Sequence, residues 1–62
     1  MNKDQIAGQW HQLKGSIKKE WGKLTDNDLD QAAGNYETLV GKIQEKYGAS
    51  REEIERRLKS LD

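Results

Sequence analysis

Residues 6–24, which read IAGQWHQLKGSIKKEWGKL, carry the apolar pattern that decides the fold. Apolar side chains recur there at steps of four, three, four, four and three residues, namely at Ile6, Trp10, Leu13, Ile17, Trp21 and Leu24. At about 100° per residue, these positions fall on one narrow stripe of an α-helix. The pattern therefore predicts a single amphipathic helix from about Asp4 to Gly22, with Asn2 as its N-cap and Gly22 as its C-cap.

Start and stop signals predict three more helices. Thr25 is an N-cap for a short second helix that runs to about Ala33. The third helix stops at Gly48, and Ser50 with Glu53 is a capping box that opens the fourth. The apolar positions of these last two helices are Tyr36, Leu39, Val40, Ile43 and Tyr47, followed by Ile54, Leu58 and Leu61.

The chain also contains an internal repeat. A shift of 26 residues brings two copies of Gly-x-aromatic-x-x-Leu-x-Gly-x-Ile-x-x-x-aromatic-Gly into register, the first starting at Gly8 and the second at Gly34. We therefore predict an all-α, four-helix single domain over residues 1–62, built from helical hairpins at about 4–33 and 34–61. The hairpins are expected to pack face to face, with much of the buried area supplied by Trp10, Trp21, Tyr36 and Tyr47.

Composition limits what this domain does. Sixty-two residues without cysteine form only a small core, so we expect marginal stability. The longest apolar run is two residues and the first residues carry no hydrophobic segment, which disfavours a membrane span or a secretory signal. We therefore expect a hydrophilic, cytoplasmic protein. Eleven basic and eleven acidic residues cancel, which removes the simplest argument for nucleic-acid binding without excluding it.

Catalytic groups are scarce in the sequence. His11 is the only imidazole and there is no thiol, so the usual combinations of nucleophile and base lack their parts. Most transition-metal sites also need more histidine or cysteine than this chain offers. We accordingly predict no enzymatic activity, no catalytic residues, no metal site and no bound cofactor.

The acidic stretch from Asp26 to Glu37 resembles a calcium-binding loop in the spacing of its carboxylates. Carboxylates stand at the first, third, fifth and twelfth positions of an EF-hand pattern: Asp26, Asp28, Asp30 and Glu37. The sixth position needs glycine for a sharp turn but holds Gln31, and Ala32 continues a helix-forming run. The sequence therefore favours a first helical turn, where acids complement the positive end of the helix dipole.

The first helix gathers basic residues on one side. The candidate partner-binding residues are His11, Lys14, Lys18 and Lys19. Such lysine clusters contact phosphates, so this side is a candidate surface for nucleic acid or an acidic protein. The favoured interpretation is a solvated face, because the net charge is zero and both tryptophans belong to the apolar stripe.

Glycine recurs every seven residues in each copy of the repeat, at Gly8, Gly15 and Gly22 and again at Gly34, Gly41 and Gly48. This spacing places each set opposite the apolar stripe, where a glycine inside a helix costs roughly 0.8 to 1.0 kcal/mol relative to alanine. Three explanations stay open for Gly8, Gly15 and Gly41. A partner molecule approaches the backbone closely at these positions, or low helix stability serves a protein that works partly unfolded, or the glycines were kept when the repeat was duplicated and have no function.

Several motifs together resemble a known family. Met-Asn-Lys-Asp-Gln opens the chain, Trp-x-x-Leu-Lys-Gly and Lys-x-x-Trp-Gly-Lys-Leu-Thr-Asp follow, and Leu-Val-Gly-Lys-Ile-Gln-x-x-Tyr-Gly comes last. These motifs, in this order, resemble the CsbD-like family of small bacterial stress proteins. The resemblance implies a compact four-helix domain of the general stress response and no active site. It leaves two hypotheses, a protective protein acting by weak contacts and a binding module using the basic side of the first helix, with weak self-association open in either case.

Overall fold

The computed structural model describes residues 2–61, and within that range it contains five helices and no strand. They are α1 (Lys3–Gly8), α2 (Trp10–Glu20), α3 (Asp26–Ala32), α4 (Tyr36–Tyr47) and α5 (Arg51–Ser60). The all-α prediction is confirmed. α4 is the central element because it packs against α1, α3 and α5, whereas the closest neighbour of the α2 backbone is α1.

The helices begin where the capping signals indicated. Each predicted N-cap side chain accepts a hydrogen bond from the backbone N–H three residues on: Asn2 from Gln5, Thr25 from Asp28 and Ser50 from Glu53. The backbone N–H groups of Asn2 and Thr25 also donate the reciprocal bond of a full capping box to the side chain three residues on. Ser50 caps α5 without this reciprocal bond, so the capping box predicted there is only half formed. Gly48 ends α4 with a left-handed φ of 66°, as predicted.

The predicted first helix is in fact two helices, so the four-helix prediction counts one too few. Gln9 separates α1 from α2 with φ −122° and ψ 24°. The turn brings α1 against Gly34, which is buried and has a φ of +86°. A Cβ on Gly34 would lie only 3.4 Å from the Ile6 carbonyl oxygen and from Trp10 Cβ. Tertiary packing therefore bends a segment whose local pattern suits one continuous helix.

The predicted C-cap at Gly22 is also wrong. α2 ends at Glu20, and Trp21 is its C-cap with its N–H donating to the Ile17 carbonyl. The Trp21 side chain is 1% exposed, so the chain leaves the helix where this indole enters the core. The turn that follows is held to α4, since the Lys23 backbone N–H donates to the Tyr47 hydroxyl at 2.8 Å.

Aliphatic side chains supply most of the core. Among residues 2–61 the buried apolar residues are Ile6, Ile17, Trp21, Leu24, Leu29, Ala32, Leu39, Val40, Ile43, Ile54 and Leu58. Of the four aromatic residues expected to dominate, only Trp21 is fully buried, and Trp10, Tyr36 and Tyr47 pack partly buried at the edge. The division into two hairpins and the structural repeat stay predictions, although α2 and α4 begin at the paired positions Trp10 and Tyr36.

Candidate functional site on the basic side of α2

α2 positions the four candidate residues by its amphipathic geometry. Ile17 is fully buried and Leu13 packs partly buried against the core, which turns the remaining sides of the helix outward. His11, Lys18 and Lys19 are exposed, and Lys14 is half-buried. The basic side of α2, defined by His11, Lys14, Lys18 and Lys19, therefore lies at the surface next to α3.

Two of these four residues are already paired within the chain. Lys14 Nζ lies 3.7 Å from Asp30 Oδ1, and Lys18 Nζ donates to Asp26 Oδ1 at 2.5 Å. The hydrogen bond from Lys18 holds the pKa of the Asp26 carboxyl below its ordinary value. Both lysines thus meet the acidic face of α3, which offsets their charge where a phosphate would have to bind.

His11 and Lys19 are placed differently from these two lysines. Both side chains are exposed, and neither has a hydrogen-bond or ion-pair partner among residues 2–61. The four candidate residues therefore do not form one continuous cationic cluster. Lys14 and Lys18 both pair with aspartates of α3, whereas His11 and Lys19 lie on the solvent side of α2.

The acidic segment that imitates a calcium loop has its own cationic partners. Asp26 and Asp28 lie in the first turn of α3, as predicted. Asp28 accepts the Thr25 backbone N–H at 3.0 Å, which lowers the pKa of its carboxyl, and it also lies 3.4 Å from Lys46 Nζ. With the pairs of Asp30 and Glu37 included, all four carboxylates of the pattern contact a lysine or an arginine.

A polar network that sequence reasoning missed joins α1, α4 and α5. Arg51 of α5 donates both terminal nitrogens to the Glu37 carboxylate, at 2.6 and 2.8 Å. Lys3 of α1 lies 3.4 Å from the same carboxylate. On the other side, Arg51 lies 3.6 Å from Glu55, which accepts the Tyr36 hydroxyl at 2.9 Å. One arginine therefore connects two acids on different helices.

The network lowers the pKa of Glu37 and raises the pKa values of Tyr36 and Arg51. The bidentate hydrogen bond from Arg51 lowers the pKa of Glu37 to about 2, and the ion pair with Lys3 acts in the same direction. Partial burial and the bond to Glu55 raise the pKa of Tyr36 to about 12. The only signal for this network in the sequence is the i,i+4 spacing of Arg51 and Glu55, because Glu37 lies 14 residues from Arg51.

The glycines separate into two structural classes. A Cβ added at Gly8, Gly15 or Gly41 would meet nothing within 4 Å, so these positions face open space as the sequence predicted. Gly34 is different because its backbone contacts the turn between α1 and α2. Close packing inside the monomer therefore explains Gly34 and leaves Gly15 and Gly41 without a packing role.

Two wider features of the described residues bear on chemistry. Residues 2–61 hold no group of three or more histidine, aspartate or glutamate side chains placed to ligate one metal ion. Over the same range, every helix is too short or too polar to cross a lipid bilayer. The basic side of α2 is thus described by its charged side chains and their pairs alone.

Comparisons with known proteins place the chain in a family. The CsbD-like family matches residues 4–56. The UPF0337 protein pc0632 of Protochlamydia amoebophila is 52% identical over 61 residues, which cover 98% of this chain and 92% of the relative. The UPF0337 protein YjbJ of Escherichia coli K12 is 48% identical over 58 residues, covering 94% of this chain and 84% of that protein. No solved structure matches the chain significantly. The chain therefore belongs to the CsbD-like family, as its motifs indicated.

Proposed function

We propose that this chain is a non-enzymatic, cytoplasmic stress-response protein that acts through weak contacts between its polar surface and other macromolecules. The stress context comes from the CsbD-like resemblance. The observation that carries the weak-contact part is the surface of residues 2–61, which exposes no large hydrophobic side chain. Tight interfaces depend on large, often aromatic anchors, and here the partly exposed Trp10, Tyr36 and Tyr47 are already packed against the core.

The charged surface supports the same proposal. Most of its ion pairs join exposed or half-exposed side chains, as in Lys3 with Glu37 and Lys18 with Asp26, and solvent screens such pairs so that each contributes little. Pairs this weak exchange readily for contacts with another charged molecule. The resulting contacts are many, individually weak and sensitive to salt.

Suppression of aggregation tests the proposal. A heat-labile reporter enzyme is warmed with this chain at increasing molar excess, and turbidity is recorded in low and in high salt. We expect protection that grows with excess and fades as salt is added. An inert protein of similar mass is the control. Equal turbidity with and without the chain at every ratio would contradict the proposal, as would protection that salt leaves unchanged.

A second candidate function is a binding module for nucleic acid or an acidic partner on the basic side of α2. The observation in its favour is that His11 and Lys19 are exposed without a partner among residues 2–61, beside two lysines in exchangeable pairs. Asp26 and Asp30 oppose it, because they bring negative charge to the same surface.

Paired substitutions separate the two functions. Asp26→Asn with Asp30→Asn releases Lys14 and Lys18, whereas Lys18→Gln with Lys19→Gln removes charge from the same surface. If the surface binds polyanions, fluorescence anisotropy with a labelled single-stranded oligonucleotide will show tighter binding by the first variant and weaker binding by the second. The affinity will also fall steeply with salt. No binding by any variant in low salt would exclude this second function.

A further inference from the structure

The turn between α1 and α2 combines a continuous sequence pattern with a bent structure. Ile6 and Trp10 are four residues apart, the spacing that places them on one stripe of an uninterrupted helix. In the structure Gln9 interrupts that helix without a side-chain cap for α2. The apolar spacing of residues 3–20 is therefore compatible with a straight helix, although the structure shows the segment bent at Gln9.

α1 is held to the rest of the chain by few contacts. It has six residues, and Ile6 is its only buried side chain. Its ion pair from Lys3 to Glu37 joins side chains that are 68% and 54% exposed, so this pair adds little. The Asn2 capping box lies within α1 and is kept whether or not the helix is docked. Release of α1 thus loses one buried isoleucine, one exposed ion pair and the close packing against Gly34.

The seam between α1 and α4 is also incompletely closed. A cleft runs along it, with Ala7 on one wall and Gly34 and Tyr36 on the other. Gly34 permits the close approach of α1, since a Cβ there would already contact the Ala7 Cα at 3.5 Å. The site that receives α1 is therefore a shallow notch of defined shape, with the Ile6 pocket at its base.

We propose that α1 straightens onto α2 at Gln9 and docks reciprocally in the α1 site of a second copy of this chain. Straightening exposes the Ile6 side chain and, on the same molecule, the site in the core that this side chain has left. A second copy presents both in complementary form, so a two-fold exchange buries them again. In the bent form, residues 2–61 expose no large hydrophobic side chain, so association by this route requires the release of α1.

The exchange depends on concentration. In the monomer, the one-residue connection at Gln9 holds α1 beside its own site, and a short tether corresponds to an effective concentration on the order of millimolar. The bent monomer therefore predominates in dilute solution, and exchanged dimers form only when the protein is concentrated. This inference concerns a different surface from the basic side of α2 and does not rest on the proposed function.

Sedimentation velocity over a wide concentration range, with two variants at the turn, tests the exchange. Gln9 is the residue that passes from turn to helix, and Gln9→Ala removes no side-chain cap of α2, so it should leave the dimer association constant equal or slightly raised. Gln9→Gly disfavours the straight helix and should lower the constant by roughly 20-fold relative to Gln9→Ala, counting both copies. Gly15→Ala is the matched control, because residue 15 is helical in both arrangements and the change should leave the constant as it is.

Mixed isotope labelling then identifies the contact. In a dimer made from two differently labelled copies, we expect an intermolecular nuclear Overhauser effect between the α-protons of Ala7 and Gly34, whose backbones touch in the structure. A protein that stays monomeric at millimolar concentration in all variants would overturn the proposal. So would a dimer that responds equally to Gln9→Gly and Gly15→Ala, or one in which the Ala7 to Gly34 contact is only intramolecular.

Discussion

α2 and α4 have nearly the same sequence pattern but very different surroundings. Each begins at an aromatic residue, Trp10 or Tyr36, and each carries an exposed glycine in its middle. α4 buries three side chains completely and lies between three other helices, whereas α2 buries only Ile17. Periodicity thus predicts that a helix forms and which side faces inward, but it does not predict how deeply the helix is packed.

The largest expected effect is the loss of unfolding free energy when a core side chain is shortened, and it should be larger in α4 than in α2. Ile43 of α4 is 0% exposed, so Ile43→Ala should cost about 2 to 5 kcal/mol of unfolding free energy. Leu13→Ala in α2 removes a partly buried side chain and should cost clearly less. Urea denaturation followed by circular dichroism measures both. Ile43→Val, with an expected loss of about 0.5 to 1.5 kcal/mol, provides a second comparison that keeps so small a domain folded. Equal losses in the two helices would show that α2 is packed as deeply as α4.

Helix capping gives the next comparison. Asn35 caps α4 by accepting the Thr38 N–H at 3.0 Å, and Asn35→Ala should cost about 1 kcal/mol. Gln9 precedes α2 without a side-chain cap, so Gln9→Ala should change stability very little. Thermal melts of both variants check this difference. A loss for Gln9→Ala as large as that for Asn35→Ala would contradict the assignment of the caps.

The exposed glycines should behave alike in the two helices. Gly15→Ala and Gly41→Ala each meet open space and should stabilise the protein by roughly 0.8 to 1.0 kcal/mol. Gly34→Ala is the contrasting variant, because its φ of +86° and its contacts with Ile6 and Trp10 make an added methyl group unfavourable. Chemical denaturation measures all three. Destabilisation by Gly15→Ala or Gly41→Ala would contradict the assignment of these glycines to the solvent face of their helices.

The smallest effect concerns acid. Glu37 of α4 has a pKa of about 2, below the ordinary value of about 4.3 expected in the unfolded chain. Its contribution to stability is therefore present above about pH 4 and is lost as the pH falls towards 2. Glu37→Gln should make the loss of stability with acid shallower in this window. The matched control is Glu45→Gln, because Glu45 is exposed on the same helix and has no ion pair in residues 2–61. This variant should leave the dependence of stability on acid unchanged.

Local signals in the sequence predicted a large part of this fold. The capping residues Asn2, Thr25 and Ser50 and the stop at Gly48 are correct because each depends on side chains or backbone within one turn. The break at Gln9 was missed because it is imposed by Gly34, which is distant in sequence. Short-range patterns cannot report a contact of that kind.

The candidate site was predicted less completely than the fold, for a related reason. The four basic residues lie on the surface of α2, but their surroundings depend on which helix packs beside them. The acidic segment that neutralises Lys14 and Lys18 was visible as a charge difference along the chain, yet its position next to α2 was not. The Arg51 network joins three helices and depends wholly on tertiary structure.

The two tryptophans at the ends of α2 are intrinsic fluorescence probes of the protein's structure. Trp21 is enclosed at one end of the helix, while Trp10 is only partly covered at the other, next to the turn at Gln9. A change confined to α1 will alter the emission and the iodide quenching of Trp10 and spare those of Trp21. Global melting will affect both. Replacing one tryptophan at a time by phenylalanine therefore distinguishes movement of α1 from unfolding of the whole chain without any attached dye.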